Sequence, residues 1–150
     1  MGYAVYSHSQ ARASALACIS MSHHRETVNA DPGPPAAGPY SHAVISNGLV
    51  FLSGQTPVDP DTGELIEGSI GDQTRRCLDN LAIVAAAAGA QLADAVRVGI
   101  YVTDISTFKD VNEAYAAYFE SDPPARSTIG VAALPLGAEV EIDMVLALPD

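Results

Sequence analysis

The alternation of apolar and polar positions is clearest in the second half of the chain, where it predicts elements with defined faces. From Asp72 to Ala88 apolar side chains recur every three or four residues, which predicts a helix with one buried stripe. Gly89 suits the left-handed position that follows a helix C-terminus. The next segment alternates with a period of two, which predicts a half-buried strand over Val96–Thr103 with an apolar face of Val96, Val98, Ile100 and Val102.

The same patterns predict a second helix and two more strands. The helix spans Thr107–Phe119, and its apolar side carries Phe108, Val111, Ala114, Tyr115, Tyr118 and Phe119. The strands span Ala125–Ala132 and Ala138–Ala147. The last strand has two distinct faces, one apolar and one that carries Glu139, Glu141 and Asp143.

A hairpin is predicted upstream of these elements. Two short apolar runs, Ala43–Ser46 and Leu49–Ser53, are separated by Asn47-Gly48, and a type I′ turn needs two residues that tolerate positive φ. The resulting order β-β-α-β-α-β-β predicts an α+β fold of two layers, with two helices on one face of a mixed sheet. Small apolar residues on the other face favour association of subunits through it.

The N-terminal segment lacks this regularity. Residues 1–36 show no sustained periodicity and end in a Pro/Gly cluster, so we expect a poorly ordered extension with Met21 as an alternative start. A single domain is then expected over residues 37–150. The histidines show no spacing typical of metal ligands, and we expect them to be solvated and the protein to bind no metal: His8, His23, His24 and His42.

Composition narrows the class of partner. The 150 residues include 18 acidic and 7 basic side chains, a formal net charge of −11. This balance disfavours nucleic acids and anionic membranes, which bind clustered Lys and Arg. No apolar run approaches the roughly 20 residues of a membrane span. Cys18 and Cys77 do not form a disulfide framework, so a cytoplasmic protein is expected.

Against this acidic background Arg126 is the main candidate for chemistry. It lies at the start of a predicted strand, among small apolar residues. A guanidinium presents a planar fork that pairs with a carboxylate through two parallel hydrogen bonds, which indicates a small-anion site. The alternative is a surface ion pair between Arg126 and Glu139 or Glu141 across two strands.

Several short motifs share one order and spacing from about residue 37 to the C-terminus. They are Gly38–Ala43, Ser53–Pro60, Leu78–Leu81, Val111-Asn112, Tyr118-Phe119, Pro124–Ser127, Leu134-Pro135 and Val140–Ile142. In this combination the chain resembles the Rid family of reactive-intermediate deaminases, also called the YjgF-like family.

This resemblance implies a fold like that of the trimeric chorismate mutases and a homotrimer with ligand sites between subunits. It also implies a hydrolase that acts on C=N bonds. Its substrates would be 2-imino acids such as 2-iminobutanoate and 2-iminopropanoate, which arise from enamines released by pyridoxal-phosphate enzymes. The products would be 2-oxo acids and ammonia, and no metal or organic cofactor would be required.

Site residues are also implied by the resemblance. Arg126 corresponds to the family arginine that holds the substrate carboxylate, and Glu141 corresponds to the glutamate that orients or activates water. Tyr40 corresponds to a tyrosine that lines the cleft. Ser53 and Gly54 are expected to end a strand beside the ligand.

Thr128 is a departure from the family pattern, because many family deaminases have Cys at this position. Strand alternation places Thr128 on the same face as Arg126, so we expect it to contact the substrate. The substitution leaves no thiol at this position, and redox control there is not expected.

Three other functions are alternatives to the deaminase. One is a non-catalytic, small-carboxylate-binding or regulatory protein of the same family. Another is a ribonuclease or translation inhibitor, activities described for some members, which the net charge of −11 disfavours. The third is a chorismate-mutase-like enzyme, for which one basic residue is too few to bind a dianionic substrate.

Overall fold

A computed structural model of the chain describes residues 25–149. Two helices pack on one face of a six-stranded sheet. The strands are β1 (Arg25–Val28), β2 (Ala43–Ser46), β3 (Leu49–Gln55), β4 (Ala95–Val102), β5 (Ala125–Gly130) and β6 (Val140–Ala147), and the helices are α1 (Ile70–Ala87) and α2 (Phe108–Ala116). Short 3₁₀ turns span Leu92–Asp94, Ile105–Thr107 and Pro135–Gly137.

The sheet is mixed, with the strand order β1-β2-β3-β6-β4-β5. Neighbouring strands are antiparallel except β4 and β5, which run parallel and are connected through α2. This architecture confirms the predicted two-layer α+β fold. It also places the C-terminal strand β6 in the interior of the sheet and β5 at an edge.

The predicted hairpin is present between β2 and β3. Asn47 has φ 51° and Gly48 has φ 75°, as a type I′ turn requires, and Ser46 pairs with Leu49 across it. β3 continues two residues beyond the predicted end at Ser53, to Gln55.

Helix α1 begins before the predicted start at Asp72. Ser69 is its N-cap, and Ser69 and Asp72 form a capping box in which each side chain accepts a hydrogen bond from the other's backbone N–H. Asp72 therefore lies inside the first turn. Gly89, with φ 78°, follows the helix end as predicted. The apolar stripe is fully buried against the sheet at Cys77, Leu78, Leu81, Val84 and Ala85.

The apolar face predicted for β4 is correct except at Val96. Val98, Ile100 and Val102 are fully buried, whereas Val96 is 45% exposed. The pairing of β4 with β6 shifts register between Ala95 and Arg97, so Val96 is the extra residue of a bulge and leaves the alternation.

Helix α2 is shorter than the predicted Thr107–Phe119 and ends at Ala116. Val111, Ala114 and Tyr115 are buried as expected, but Phe108 is 43% exposed. Phe108 is the first residue of the helix, one turn before the buried segment, and so does not reach the core.

The prediction of a poorly ordered segment over residues 1–36 was wrong where strand β1 forms. Its sequence, Arg-Glu-Thr-Val, has no apolar alternation, and it is held by backbone pairing with β2. His42 is not solvated as expected: it is 6% exposed, and its Nδ1 accepts a hydrogen bond from Ala30 N at 3.0 Å. The predictions for five earlier positions lie outside the described residues: His8, Cys18, Met21, His23 and His24.

Two structural features are absent from the described part of the chain, a membrane-spanning helix and a metal-binding cluster. Between residues 25 and 149, no helix has both the length and the apolar character that crossing a membrane demands. Over the same range, no three His, Cys, Asp or Glu side chains are grouped closely enough to hold a metal ion.

Candidate functional site

The candidate site residues fall into two clusters. The first, here called the glutamate pocket, is a cavity of about 320 Å³ lined by Ala37, Tyr40, Ser53, Gly54, Thr56, Pro135, Leu136 and Glu141. The second, here called the arginine cluster, consists of Phe108, Asn112, Tyr115, Arg126 and Thr128. The structure thus brings together four of the six predicted site residues and separates Arg126 and Thr128 from them.

The glutamate pocket is built where β3 and β6 pair irregularly. The register between these strands shifts between Leu52 and Gln55, and Gly54 lies in that interval. A Cβ at Gly54 would lie 2.9 Å from Glu141 Cδ, a distance that real Cβ atoms do not adopt. Glycine therefore lets the Glu141 carboxyl group lie directly against the β3 backbone.

Charge and burial both act on Glu141. Burial raises the pKa of the Glu141 carboxyl, and the negative charge of Asp143 adds to the increase. Asp143 is itself held by the Tyr101 hydroxyl, which donates to Oδ2 at 2.9 Å, and by Arg97 Nη1, 3.4 Å from Oδ1. Glu141 is thus a carboxylate that accepts a proton more readily than an exposed one, as a general base requires.

Tyr40 and Ser53 also line the glutamate pocket. Tyr40 is 44% exposed, and its hydroxyl accepts a hydrogen bond from Ala37 N at 3.2 Å. Ser53 Oγ donates to Ser41 O at 2.8 Å, which leaves its lone pairs available as acceptors. Ser53 does not end its strand as predicted, because β3 continues to Gln55.

Asn80 supports the pocket from α1 and was not assigned a role from the sequence. Its side chain is fully buried, and Nδ2 donates to Val58 O at 2.8 Å and to Thr56 O at 3.3 Å. These bonds hold the loop that carries Thr56 into the pocket. The sequence feature that could have indicated this role is an amide side chain within the apolar stripe of a helix, because buried amides form hydrogen bonds.

In the arginine cluster, the guanidinium of Arg126 is held without a carboxylate. Arg126 Nη2 donates to Asn112 Oδ1 at 2.7 Å, and Cζ lies 4.6 Å from the centre of the Tyr115 ring. Phe108 is more distant, with its ring centre 5.9 Å from Cζ. Within residues 25–149 Arg126 forms no ion pair.

The alternative ion pair of Arg126 with Glu139 or Glu141 is therefore wrong for the single chain. Glu139 instead accepts a hydrogen bond from Gln73 Nε2 at 2.6 Å. Asn112 and Tyr115 were not assigned to the site from the sequence, although both lie on the predicted helix that contains the Val111-Asn112 motif.

Thr128 shares a face with Arg126 as predicted. Arg126 pairs with Val98 and Thr128 with Ile100, and both partners point toward the helices. The Thr128 hydroxyl is shielded from solvent and has no hydrogen-bond partner among the residues that the structure describes. It is therefore available to a ligand or a water molecule.

The two clusters lie on opposite faces of the sheet. Directly paired residues share a face, and Arg126 is in one row with Val98 and Met144 on the helix side. Glu141 is in a row with Tyr101 and Ile129, which faces away from the helices. One chain therefore does not bring Arg126 and Glu141 to the same ligand.

Comparisons with known proteins agree with one another. A family profile described as Endoribonuclease L-PSP matches residues 31–148. The Arabidopsis thaliana protein named Reactive Intermediate Deaminase A, chloroplastic, is 43% identical over 133 residues, which cover 89% of this chain and 71% of that protein. The human 2-iminobutanoate/2-iminopropanoate deaminase is 37% identical over 121 residues, covering 81% of this chain and 88% of the human one.

A solved structure gives the same result at the level of the fold. The crystal structure of E. coli TdcF with bound serine superposes with a TM-score of 0.77 at 34% identity. The match covers 81% of this chain and 98% of that one. The similarity therefore extends over nearly all of the regular elements.

Proposed function

This chain belongs to the Rid family, the YjgF-like proteins that the Endoribonuclease L-PSP profile describes, and we propose that it hydrolyses 2-imino acids. The proposed substrates are 2-iminobutanoate and 2-iminopropanoate, and the products are the 2-oxo acids and ammonia. The observation that carries the proposal is the guanidinium of Arg126, held by a neutral amide and an aromatic ring. Its charge is left for an anion such as the substrate carboxylate.

We further propose a homotrimer in which Arg126 of one subunit meets the glutamate pocket of its neighbour. Support comes from the placement of the two clusters on opposite faces of the sheet. Because one chain cannot bring both clusters to one ligand, a site that uses both would combine the helix side of one subunit with the helix-free face of another. The face without helices also exposes apolar side chains, with Phe51 46% and Ile129 50% exposed. Burial of such a face between subunits is favourable.

In the proposed reaction the Arg126 fork fixes the substrate carboxylate, and with it the adjacent imine carbon. Glu141 of the neighbouring subunit accepts a proton from water as the water oxygen forms a bond to that carbon. The electron pair of the C=N π bond moves to nitrogen, which takes up the proton that Glu141 accepted, and a carbinolamine results. Glu141 then takes the hydroxyl proton of the carbinolamine and passes it to the amino nitrogen, so that the C–N bond breaks, ammonia leaves and the C=O bond of the 2-oxo acid forms.

Thr128 is proposed to contact the substrate or the attacking water through its unpartnered hydroxyl. The Thr128 side chain lies two residues beyond Arg126 along β5, on the same face of the strand. A hydroxyl both donates and accepts hydrogen bonds, so it can accept from the N–H of the imine substrate and donate to the carbonyl oxygen of the 2-oxo acid product. An RNA substrate is disfavoured, because the net charge of −11 opposes binding of a phosphate backbone.

The proposal is tested by competition for a chemically generated imine. A pyridoxal-phosphate threonine dehydratase releases 2-iminobutanoate, and semicarbazide traps it as a semicarbazone. Either the purified native protein or the purified Arg126→Ala variant is then added. We expect the native protein to lower semicarbazone formation and Arg126→Ala to have little effect at equal concentration.

Unchanged trapping across several imines would contradict the deaminase. If the native protein then still bound 2-oxobutanoate and Arg126→Ala did not, the result would favour a carboxylate-binding protein. The structure of the E. coli relative with bound serine makes this the second candidate.

A further inference from the structure

We propose that Asn112 and Tyr115 are positioning residues that fix the orientation of the Arg126 guanidinium. The inference rests on the proposed function, in which Arg126 holds the substrate carboxylate. It adds two residues that act through Arg126 and to which the sequence comparison gives no role. The observation behind it is that α2 holds the guanidinium through two contacts, a hydrogen bond to Asn112 and the ring of Tyr115.

One contact is a hydrogen bond and the other is a cation–π contact. Arg126 Nη2 donates to Asn112 Oδ1 at 2.7 Å, while Cζ lies 4.6 Å from the Tyr115 ring centre. Asn112 and Tyr115 are three residues apart on α2 and therefore lie on one side of the helix. A guanidinium held by a hydrogen bond at Nη2 and by a ring beside Cζ is restricted in orientation, and so are the directions of its remaining N–H groups.

The chemistry of the two holding groups also matters. An amide oxygen and an aromatic ring carry no formal charge, so they restrain Arg126 without neutralising it. Burial raises the pKa of the Tyr115 hydroxyl, against a smaller opposing effect of Arg126, so this group stays neutral. An aspartate in place of Asn112 would restrain the guanidinium equally but compete with the substrate carboxylate.

Restraint of this kind reduces the cost of binding, because a flexible arginine loses side-chain freedom when it pairs with a ligand. This restraint acts on the planar guanidinium of arginine. A lysine at position 126 has no planar group whose orientation could be fixed. The two residues should therefore matter only while an arginine is present. This dependence distinguishes a positioning role from a role in folding.

A double-mutant cycle tests the dependence in the trapping assay. We expect Asn112→Ala to lower kcat/KM about 10-fold in the native background and less than about 2-fold in Arg126→Lys. Glu113→Ala, the neighbouring exposed position on α2, is the matched control and should leave kcat/KM unchanged. An equal loss from Asn112→Ala in both backgrounds would overturn the proposal.

A second measurement needs no ligand. In ¹H–¹⁵N spectra of the free protein, the Arg126 guanidinium signals, assigned by their loss in Arg126→Lys, should show slow rotation about the Nε–Cζ bond. Asn112→Ala and Tyr115→Leu should speed this rotation, whereas Tyr115→Phe, which keeps the ring, should not. Rotation that is unchanged in Asn112→Ala would also overturn the proposal.

The two measurements separate the failure of this inference from the failure of the proposed function. A native protein that does not consume imines but shows restrained Arg126 rotation, lost in Asn112→Ala, would refute the deaminase and leave the positioning contact established. A native deaminase in which Asn112→Ala changes neither kinetics nor rotation would refute the positioning role alone. Altered rotation with unchanged kcat/KM would refute the link to catalysis.

Discussion

The carboxyl group of Glu141 lies against the backbone of Gly54, in the space that any other residue at position 54 would fill. A Cβ built on Gly54 would be 2.9 Å from Glu141 Cδ and 3.2 Å from Cγ. This contact lies where the register between β3 and β6 shifts, between Leu52 and Gln55. The position of the proposed base therefore depends on the absence of a side chain on the neighbouring strand.

Gly54→Ala should displace the Glu141 carboxyl and lower kcat/KM by about 10-fold or more, since small displacements of a catalytic group carry large costs. The loss should exceed any change in stability, as judged by urea unfolding. Gly71→Ala in α1 is the control, because a Cβ there makes only ordinary contacts, the nearest at 3.5 Å to Arg75. Native activity in Gly54→Ala would show that Glu141 does not need this position.

Asp143 should set the pH dependence of catalysis through Glu141. The pKa of Glu141 is raised above its ordinary value of 4.5, first by burial and then by the charge of Asp143. If ionised Glu141 is the base, kcat/KM falls as pH drops through this raised pKa. Asp143→Asn removes the second cause, so the acid limb of the profile should move to lower pH.

We measure kcat/KM against pH for Asp143→Asn and for the native protein and take the ratio of the two values at each pH. Titration of the substrate affects both proteins equally and cancels in this ratio. Arg97→Ala serves as a comparison, because it alters the surroundings of Asp143 while keeping its charge. An acid limb at the same pH in Asp143→Asn and the native protein would exclude Glu141 as the titrating base.

Glu141→Gln should increase stability at neutral pH. A carboxyl whose pKa is raised binds its proton more tightly in the folded state, so the free energy of unfolding decreases as pH rises from the unfolded pKa through the folded one. Glutamine removes this cost. The advantage of Glu141→Gln in urea unfolding should be largest at pH 7 and narrow as pH falls toward 4.5, the ordinary value. A difference independent of pH would contradict the prediction.

Asn80 should contribute to stability through the loop it holds. Asn80→Ala leaves the carbonyls of Val58 and Thr56 without this donor, and we expect a loss of about 1–3 kcal/mol in the free energy of unfolding. Asn80→Asp should be worse than Asn80→Ala, because a carboxylate would face two carbonyl oxygens without a proton to donate. Urea unfolding of both variants decides this, and the reverse order would refute the assigned hydrogen bonds.

Cys77 should be unreactive until the protein unfolds. The side chain is fully buried in α1, and burial raises the pKa of its thiol, so the reactive thiolate is not formed at neutral pH. In a Cys18→Ser background, a thiol reagent should label the protein only as it unfolds in urea. Rapid labelling of native protein would mean that the helix-sheet interface opens locally.

Hydrophobic periodicity was sufficient for the long elements and insufficient for the short polar ones. α1 and β6 were predicted because their apolar side chains pack against each other, and this burial leaves a pattern in the sequence. β1 was missed because backbone pairing with β2 holds it, and backbone hydrogen bonds leave no such pattern. Val96 was misplaced because a bulge is a property of two paired strands.

The candidate site divides in a similar way. Strand alternation correctly predicted that Arg126 and Thr128 share a face, because the side-chain direction within one strand repeats every two residues. It gave no information on Asn112 and Tyr115, whose contacts with Arg126 join a helix to an edge strand. Nor did it indicate the role of Asn80 in holding the loop beside the pocket.

The sequence by itself determined the two-layer fold, the hairpin at Asn47-Gly48 and the residue types available for chemistry. Only the tertiary structure decided that β6 lies between β3 and β4, and that Arg126 and Glu141 lie on opposite faces of one sheet. The physical reason is that alternation fixes the relative direction of side chains along one strand. Which face of the sheet each set occupies depends on strand order and register, which arise from long-range pairing.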